Sequence, residues 1–246
     1  MSTISTRQQV LAFDIYGTIL DTNGIATALG SALNLDEDKA AQLSLLWRRY
    51  QLEYTYRLNS MRVYESFDTV TRNALLHALA ENGIQASNKT VDKLMEAYNH
   101  LAPYDDAIPA LQALSKVPYI KIVVFSNGTR EMVTTALNAV SALEIPEALY
   151  LADDVRVYKP AMQIYQGLLA KLNADREEGA YTGDDVWLVS GNPFDVTGAR
   201  NAGLQAFWVD RAGGGWVDRA VPLKPSQTIR SLSQIEHLLG GATRHE

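Results

Sequence analysis

Residues 10–18 read Val-Leu-Ala-Phe-Asp-Ile-Tyr-Gly-Thr and constrain the fold of this chain more than any other stretch. The first four are apolar, which is typical of a short buried strand. Asp14 follows where that strand ends, and Gly17 permits a sharp turn because glycine adopts a positive φ at little cost. A carboxylate at this place lies where open α/β sheets bind ligands, although aspartate is also a common turn residue. The stretch therefore predicts an α/β protein with Asp14 at a candidate site.

The segment of residues 21–102 has the periodicity of helices rather than of strands. Apolar side chains recur at helical spacing over residues 43–61 and predict one long amphipathic helix. Two further helices are predicted, one with an apolar face that starts at Phe67 and one capped near Ser87. Because no strand pattern interrupts this segment, we interpret it as a helical insertion after the first strand.

From residue 103 onward, short apolar runs alternate with helical patterns. The predicted strands are residues 120–125, 149–152, 186–189 and 206–209. The predicted helices are one capped by Asp105 or Asp106 that runs to about residue 116, residues 129–143, residues 160–172, one that follows the strand at 186–189 and ends at Ala202, and one near residues 235–239. Such alternation indicates parallel βαβ units. The sequence thus predicts a doubly wound, Rossmann-like α/β core made of residues 1–20 and 103–246, with residues 21–102 inserted as a helical cap domain.

Composition excludes several classes of function. The 246 residues include 22 Lys and Arg and 28 Asp and Glu, and the net charge of −6 argues against a nucleic-acid partner. The absence of cysteine excludes thiolate metal sites and a cysteine nucleophile. No apolar run approaches the roughly 20 residues needed to span a membrane, and residues 1–9 lack the apolar stretch of a signal peptide. We therefore expect a cytoplasmic protein with no membrane partner.

Polar side chains of reactive kinds follow four of the predicted strands. They are Asp14 after the first, Ser126 and Asn127 after the second, Lys159 beyond the third, and Ser190, Asn192 and Asp195 at and after the fourth. Because the carboxyl ends of parallel strands share one edge of the sheet, these groups can converge in one crevice. Each also has a plainer interpretation: Asn127 as a turn residue, Lys159 as an exposed lysine, Asp195 as a carboxylate near a helix N-terminus.

The order and spacing of these motifs resemble those of the haloacid dehalogenase superfamily over nearly the whole chain. The resemblance implies a doubly wound core with a helical cap inserted after the first strand. Phosphatase members of this superfamily carry a second acid where this chain has Tyr16, and paired acids where it has the single Asp195. Because magnesium needs several oxygen ligands, we expect neither a metal ion nor another cofactor.

A narrower resemblance is to the L-2-haloacid dehalogenases, in residues 46–56, in Lys159-Pro160 with Tyr165, and in residues 189–200. It implies that Asp14 displaces halide from a short-chain 2-haloalkanoic acid with inversion, and that water then hydrolyses the resulting ester to a 2-hydroxy acid. The expected ligands are thus a small 2-halo acid and water, and a homodimer is also implied. Arg49 and Gly191 depart from the family pattern and leave the preferred substrate open.

The resemblance also implies the site residues and their roles. The catalytic residues are Asp14, Thr18, Arg48, Ser126, Asn127, Lys159, Tyr165, Ser190, Asn192 and Asp195. The substrate-binding residues are Ile15, Tyr16, Arg48, Leu52, Phe67, Ser126, Asn127 and Phe194. In this scheme Lys159 keeps Asp14 ionised, Arg48 and Asn127 receive the halide, and Ser126, Thr18 and main-chain N–H groups bind the substrate carboxylate. Asp195 activates water that Ser190 and Asn192 orient, and Tyr165 either hydrogen-bonds near Lys159 or only packs.

Two other functions stay open from the sequence: a magnesium-dependent phosphatase of the same superfamily, and a non-catalytic binding module that has kept the fold. Arg48 has a plainer interpretation as half of a surface ion pair, which contributes little stability. The acid pairs Asp153-Asp154 and Asp184-Asp185 are interpreted as solvated loops beside strands.

Overall fold

Six parallel strands form the centre of the computed structural model, which describes residues 7–139, 148–174, 176 and 179–242. The strands are β1 (Gln9–Phe13), β2 (Ile120–Ser126), β3 (Leu149–Leu151), β4 (Val186–Ser190), β5 (Gln205–Val209) and β6 (Gln227–Ile229). Their order is β3-β2-β1-β4-β5-β6, and every pair is parallel. This confirms the predicted doubly wound sheet. The strand order reverses direction between β1 and β4, where such sheets open a ligand crevice at the carboxyl ends.

Helices surround the sheet and occupy the long segment after β1. The helices between β1 and β2 are α1 (Ile25–Leu33), α2 (Glu37–Met61), α3 (Phe67–Glu81), α4 (Asn88–Asn99) and α5 (Ala107–Leu114). Those after β2 are α6 (Arg130–Ala139), α7 (Ala152–Val155), α8 (Met162–Ala174), α9 (Pro193–Asn201) and α10 (Ile235–Ala242). Val10 to Phe13 in β1 are fully buried, because helices cover both faces of a parallel sheet, and this explains the unbroken apolar run there.

The chain leaves and re-enters the core at one place. Leu20 pairs with Pro103, and the N–H of Asp21 donates to the carbonyl of Ala102 at 2.9 Å. Helices α1–α4 lie between these two paired linkers. On this basis we propose that residues 21–102 are a cap domain and that residues 1–20 and 103–246 form the core.

Helix α2 is the element of the cap that reaches the crevice. It begins after Asp36, whose carboxylate accepts the N–H of Lys39 at 2.8 Å, and it ends at Arg62 in a left-handed conformation. Its apolar face is buried against α3, to which the indole of Trp47 donates a hydrogen bond at the carbonyl of Thr71. Met61, predicted on the same face, is 61% exposed because it lies in the last turn.

Several local predictions differ from the structure. Strand β6 was not predicted, since two of its three residues are polar and exposed. Helix α8 begins at Met162 rather than at residue 160, and the predicted extension of α6 to residue 143 lies outside the described residues. The interpretation of Asp185 as a loop residue in solvent was wrong: it is buried, accepts the N–H of Thr182 and pairs with Arg7. No helix in the described ranges is long and apolar enough to cross a membrane.

Candidate active site

Asp14 lies directly after β1, at the bottom of the crevice between the carboxyl ends of β1 and β4. Its Oδ2 accepts hydrogen bonds from Thr18 Oγ1 and Asn192 Nδ2, both at 2.8 Å, and a longer one from Ser190 Oγ at 3.5 Å. Among the residues that the structure describes, its Oδ1 accepts only from Lys159 Nζ, at 3.2 Å. One carboxylate oxygen is therefore held by three uncharged donors, while the other keeps lone pairs free for chemistry.

A tight turn brings Thr18 back onto Asp14. Gly17 has a φ of 83°, a conformation that favours glycine. The N–H of Gly191 donates to Thr18 Oγ1 at 2.9 Å, so the single hydroxyl proton of Thr18 is left for Asp14 Oδ2. This arrangement differs from the sequence prediction, in which Thr18 contacts the substrate.

Lys159 joins two carboxylates inside the protein. Its side chain is 1% exposed, and Nζ donates to Asp195 Oδ2 and to the carbonyl of Phe125 at 2.7 Å as well as to Asp14. An ammonium has three donors, and all three are used here. The ammonium also lies 4.2 Å from the centre of the Phe125 ring, a favourable cation–π contact. The side chain of Lys159 thus links the two acids.

Asp195 lies in the first turn of α9 and is completely buried. Its Oδ1 accepts a hydrogen bond from the hydroxyl of Tyr165 at 2.8 Å. Burial raises the pKa of Asp195 to about 6, because it outweighs the opposing effects of Lys159 and Tyr165 and is assisted by the charge of Asp14. Burial also raises the pKa of Tyr165 well above its ordinary value, so this hydroxyl stays a donor.

Ser126 and Asn127 end β2 beside Asp14. The carbonyl oxygen of the Asn127 side chain accepts the N–H of Lys159 at 3.0 Å, which leaves its Nδ2 as a donor for the crevice. Ser126 Oγ accepts the N–H of Gly128, so its hydroxyl proton is free to donate elsewhere. Across the part of the chain that the structure covers, the N–H groups of Ile15 and Tyr16 donate to no other main-chain carbonyl. These groups supply several donors on one side of the crevice.

Arg48 reaches the crevice from α2. Its Nη1 donates to Gln51 Oε1 at 2.6 Å, and its Nη2 lies 3.4 Å from both the carbonyl of Tyr16 and Asn192 Oδ1. No carboxylate pairs with Arg48 among residues 7–139, 148–174, 176 and 179–242. The guanidinium therefore brings an uncompensated positive charge to the same asparagine that holds Asp14.

Aromatic side chains close the cap side of the crevice. The ring of Tyr16 stacks on Tyr98, with centroids 5.4 Å apart, and lies 5.8 Å from Phe67. Trp47 packs against the other side of Tyr98. The hydroxyl of Tyr16 is buried without a hydrogen-bond partner in the described structure. These rings form an aromatic cluster that includes Tyr16, two residues after Asp14.

The remaining residues predicted to bind substrate differ in their burial: two are partly exposed and one is buried in the hydrophobic core. Leu52 is half-buried one helical turn after Arg48, and Phe194 packs edge-on against Tyr56 at 5.7 Å. Both belong to the surface near the crevice. The side chain of Ile15 is fully buried in the hydrophobic core, so that only its main chain is available to a ligand.

The donor set does not fit a divalent metal ion. Asn192 presents an N–H rather than an oxygen to Asp14, and the ammonium of Lys159 lies between the two carboxylates. No group of three or more acidic or histidine side chains suited to a metal is present among the residues that the structure describes. A hard dication needs several oxygen ligands, which this arrangement does not offer.

Two residues near Arg48 were not predicted from the sequence. Gln51 accepts a hydrogen bond from Arg48, and Tyr98 donates one to Gln51. A signal for Gln51 exists in the sequence, since it is a polar residue at the buried spacing of α2. Tyr98 carries no such signal, because a buried tyrosine at the end of a helix is ordinarily a packing residue.

Comparisons with known proteins give a consistent result. The model of the haloacid dehalogenase-like hydrolase family matches residues 8–203. The (S)-2-haloacid dehalogenase 4A of Burkholderia cepacia is 34% identical over 229 residues, which cover 92% of this chain and 93% of that protein. The (S)-2-haloacid dehalogenase 1 of Pseudomonas sp. (strain CBS-3) is 32% identical over a match that covers 92% of this chain and 94% of that protein.

Solved structures agree with the sequence matches. The L-2-haloacid dehalogenase of Xanthobacter autotrophicus with chloropropionic acid covalently bound has a TM-score of 0.81 and 26% identity, covering 95% of this chain and 99% of its own. The structure of a dehalogenase with an intermediate complex has a TM-score of 0.83 and 29% identity, and the match covers 96% of this chain and 98% of that one. The likeness therefore extends over both the core and the inserted helices.

Proposed function

The chain belongs to the haloacid dehalogenase-like hydrolases, and from that premise we propose that it is an (S)-2-haloacid dehalogenase, a hydrolase of carbon–halide bonds. It converts short-chain 2-haloalkanoic acids to 2-hydroxy acids with inversion, through an ester to Asp14. The observation that carries this proposal is the asymmetry of Asp14 within the described part of the chain, where three donors hold Oδ2 and Lys159 alone donates to Oδ1. The relatives named above catalyse, by their names, this class of reaction.

In the first step Oδ1 of Asp14 attacks the carbon that carries the halogen. A bond forms between Oδ1 and that carbon while the carbon–halogen bond breaks, and the halide leaves with the electron pair. Attack from the side opposite the halogen inverts the centre. A carboxylate is a weak nucleophile when it is hydrated, so the burial of Asp14 and its fixed hydrogen bonds favour this step. Arg48 and Asn127 Nδ2 are proposed to receive the departing halide.

The substrate carboxylate is assigned to the donors beside β2 and after β1. The free hydroxyl proton of Ser126 and the N–H groups of Ile15 and Tyr16 are neutral donors, which bind an anion without cancelling the charge of Arg48. Thr18, which the sequence analysis placed with them, is proposed instead to act on Asp14 Oδ2, because its proton is directed there.

In the second step water attacks the carbonyl carbon of the ester. Negative charge then develops on Oδ2, which is the oxygen that accepts from Thr18, Asn192 and Ser190. Donors already directed at the place where charge develops lower the barrier of such steps. The bond between that carbon and Oδ1 breaks, and Oδ1 takes up the proton that the base removed from water and leaves as the hydroxyl oxygen of the 2-hydroxy acid. Asp14 is restored with an oxygen from water.

Asp195 is proposed as the base for this water. Its carboxylate is ionised above pH 6, because burial raises its pKa to about 6, and this value suits a general base near neutral pH. Tyr165 and Lys159 each use one lone pair of the carboxylate, and further lone pairs remain.

The metal-independent character of the reaction, a homodimer and a cytoplasmic location belong to the same proposal. The donor set around Asp14 supports the first of these, and the resemblance to the haloacid dehalogenases supports the second. The third is kept as the default, since the absence of cysteine gives no evidence for an oxidising compartment. EDTA treatment, sedimentation analysis and cell fractionation test the three statements in turn.

A halide-release assay with both enantiomers of 2-chloropropionate and 2-bromopropionate, with and without EDTA, tests the reaction class. We expect release from the (S) enantiomers that EDTA does not affect. Release of phosphate from small phosphoesters in the presence of magnesium, without halide release, would favour the phosphatase. If the protein catalysed neither reaction, the result would favour a non-catalytic binding module. The comparisons do not favour either alternative.

A single turnover in heavy-oxygen water, with enzyme in excess, tests the ester. Water attacks the ester carbonyl, so the label should enter the peptide that contains Asp14, and the product hydroxyl should stay unlabelled. Direct attack of an activated water on the substrate carbon also inverts the centre but labels the product. Label in the product and none in Asp14 would therefore exclude the covalent intermediate.

A further inference from the structure

We propose that Gln51 is a positioning residue that holds the guanidinium of Arg48 over the crevice, an inference that rests on the proposed function. Gln51 lies one helical turn after Arg48 on α2 and is 0% exposed. Its Oε1 accepts from Arg48 Nη1 at 2.6 Å and from the hydroxyl of Tyr98 at 3.1 Å, and its Nε2 donates to Thr71 Oγ1 at 2.6 Å. The amide of Gln51 thus links α2 to Thr71 of α3 and Tyr98 of α4, beside the guanidinium of Arg48.

The direction of this network is determined by its donors. Thr71 has one hydroxyl proton, which it donates to the carbonyl of Phe67 at 2.6 Å, so it can only accept from Gln51. Nε2 must therefore face Thr71, and Oε1 must face Arg48 and Tyr98. Burial raises the pKa of Tyr98, so its hydroxyl stays protonated and donates. An amide held in this way cannot rotate without leaving a buried donor unpaired.

The contact to Gln51 is the shortest that Arg48 makes. The contacts of Nη2 to Tyr16 and Asn192 are both 3.4 Å, beyond the ordinary range of such hydrogen bonds. An arginine on a helix has many rotamers, and a single short hydrogen bond from a rigid partner restricts them. Gln51 is therefore the group that decides where the positive charge lies.

The partner is an uncharged amide, and this matters for the reaction. A carboxylate at the same place would form an ion pair with Arg48 and weaken its attraction for the departing halide. Glutamine supplies the same hydrogen bond and leaves the charge in place. We therefore expect halide release to slow both when the hydrogen-bond acceptor at position 51 is lost and when a negative charge is introduced there.

Single-turnover halide release, with enzyme in excess, tests the proposal. In Gln51→Met, which keeps the length of the side chain, we expect release from (S)-2-chloropropionate to slow on the order of tenfold or more, because the cation is misplaced. Release from the bromo analogue should slow less, since bromide needs less stabilisation. Gln51→Glu should slow release at least as much as Gln51→Met does. Thr55→Val is the matched control, because Thr55 is buried on the same helix and its hydroxyl donates to the carbonyl of Leu52, within its own helix.

A double-mutant cycle separates positioning from general damage to the cap. If Gln51 acts through Arg48, then Gln51→Met should change the rate little in an Arg48→Ala background. Additive effects of the two changes, or an unchanged ratio of chloride to bromide rates in Gln51→Met, would overturn the proposal. Should Gln51→Met fail to fold, Thr71→Val removes the acceptor that fixes the amide and should change the same ratio in the same direction.

Crystal structures of the unaltered protein and of Gln51→Met give a readout that does not need turnover. We expect the guanidinium of Arg48 to leave its place beside Tyr16 and Asn192 in the variant. A guanidinium in the same position would overturn the role of Gln51 even in an active enzyme. Absence of halide release from the unaltered protein would instead contradict the proposed function, and the two failures are thereby distinguished.

Discussion

The two sides of the crevice hold their charged groups in opposite ways. On the core side, the ammonium of Lys159 lies within 3.2 Å of Asp14 and 2.7 Å of Asp195, and all three of its donors are used. On the cap side, the acceptors that Arg48 contacts in the described ranges are all uncharged, and the shortest contact is to Gln51. On the core side the cation lies in direct contact with two carboxylates, whereas on the cap side the cation contacts no carboxylate in the described structure.

This difference follows from what each charge is proposed to do. The carboxylate of Asp14 must stay ionised inside the protein before substrate binds, and a buried charge is tolerated only when it is paired and hydrogen-bonded. The cation of Arg48 acts on an anion that exists only after the carbon–halogen bond breaks. A permanent partner would reduce that action. The core side therefore determines both stability and rate, and the cap side determines mainly rate.

Removal of Lys159 should have the largest effect. In Lys159→Met two buried carboxylates lose their shared counterion, and breaking such a pair costs about 3–5 kcal/mol of folding free energy. Ester formation should fall by roughly a thousandfold or more, because the attacking oxygen of Asp14 loses the ammonium that holds it in place. Urea denaturation and single-turnover halide release measure the two effects. Lys171→Met is the control, since Lys171 is 57% exposed and its change should cost less than about 1 kcal/mol.

Removal of Arg48 should separate rate from stability. We expect Arg48→Ala to slow halide release on the order of a hundredfold, the usual effect of losing one group that stabilises developing charge. Its free energy of unfolding should change by less than about 1 kcal/mol, because no buried partner loses its only hydrogen bond. Arg48→Lys keeps the charge but not the contact geometry, and should be intermediate. A loss of stability as large as that of Lys159→Met would contradict the contrast between the two sides.

The pH dependence should differ between the two chemical steps. Burial raises the pKa of Asp195 to about 6 in the folded protein, so the carboxylate gains a proton as the pH falls through 6. If Asp195 is the base of the second step, ester hydrolysis should slow about tenfold per pH unit below that value. Ester formation should lack this acid limb. Rapid-quench measurements between pH 5 and 8 resolve the two phases, and an acid limb confined to ester formation would exclude this role.

The same shift has a consequence for stability. An acid whose pKa is raised by folding binds more protons in the native state than in the unfolded state. The cost of keeping Asp195 ionised is therefore present above pH 6 and is relieved as the pH falls from 6 toward the ordinary value near 4. Asp195 alone should make the protein more stable at pH 5 than at pH 7. Urea denaturation at these two values measures the sum of this contribution and those of the other acids.

Much of the core side could be predicted from the sequence. Buried parallel strands are continuous apolar runs, and each run that ends in a reactive side chain must place it at the same edge of the sheet. The prediction of an α/β core with inserted helices followed from these patterns. Asp14 and Asp195 come together because β4 adjoins β1, whereas β6 was missed because it is short and two of its residues are polar.

The cap side was less predictable, because its contacts join residues from different helices. Nothing near Gln51 in the sequence indicates Thr71 or Tyr98 as its partners. The meaning of Gly191 was also hidden: a side chain at this position would overlap the main-chain carbonyl of Gly17. Local patterns report which face of an element is buried, and they do not report which distant atom fills the space beside it.

The smallest expected effect tests whether the two sides act independently. Tyr165 and Tyr98 are both buried tyrosines that donate to a side chain of the site, the first to Asp195 at 2.8 Å and the second to Gln51 at 3.1 Å. In Tyr165→Phe the ionised form of Asp195 loses a hydrogen bond that favours it, so its pKa should rise further above the ordinary value. Because Lys159 stays in place, the acid limb of ester hydrolysis should move upward by less than about one pH unit. Tyr98→Phe removes the same atom on the cap side and should leave that limb where it is. Movement of the limb in Tyr98→Phe, or none in Tyr165→Phe, would show that the proton on Asp195 is not controlled from the core side.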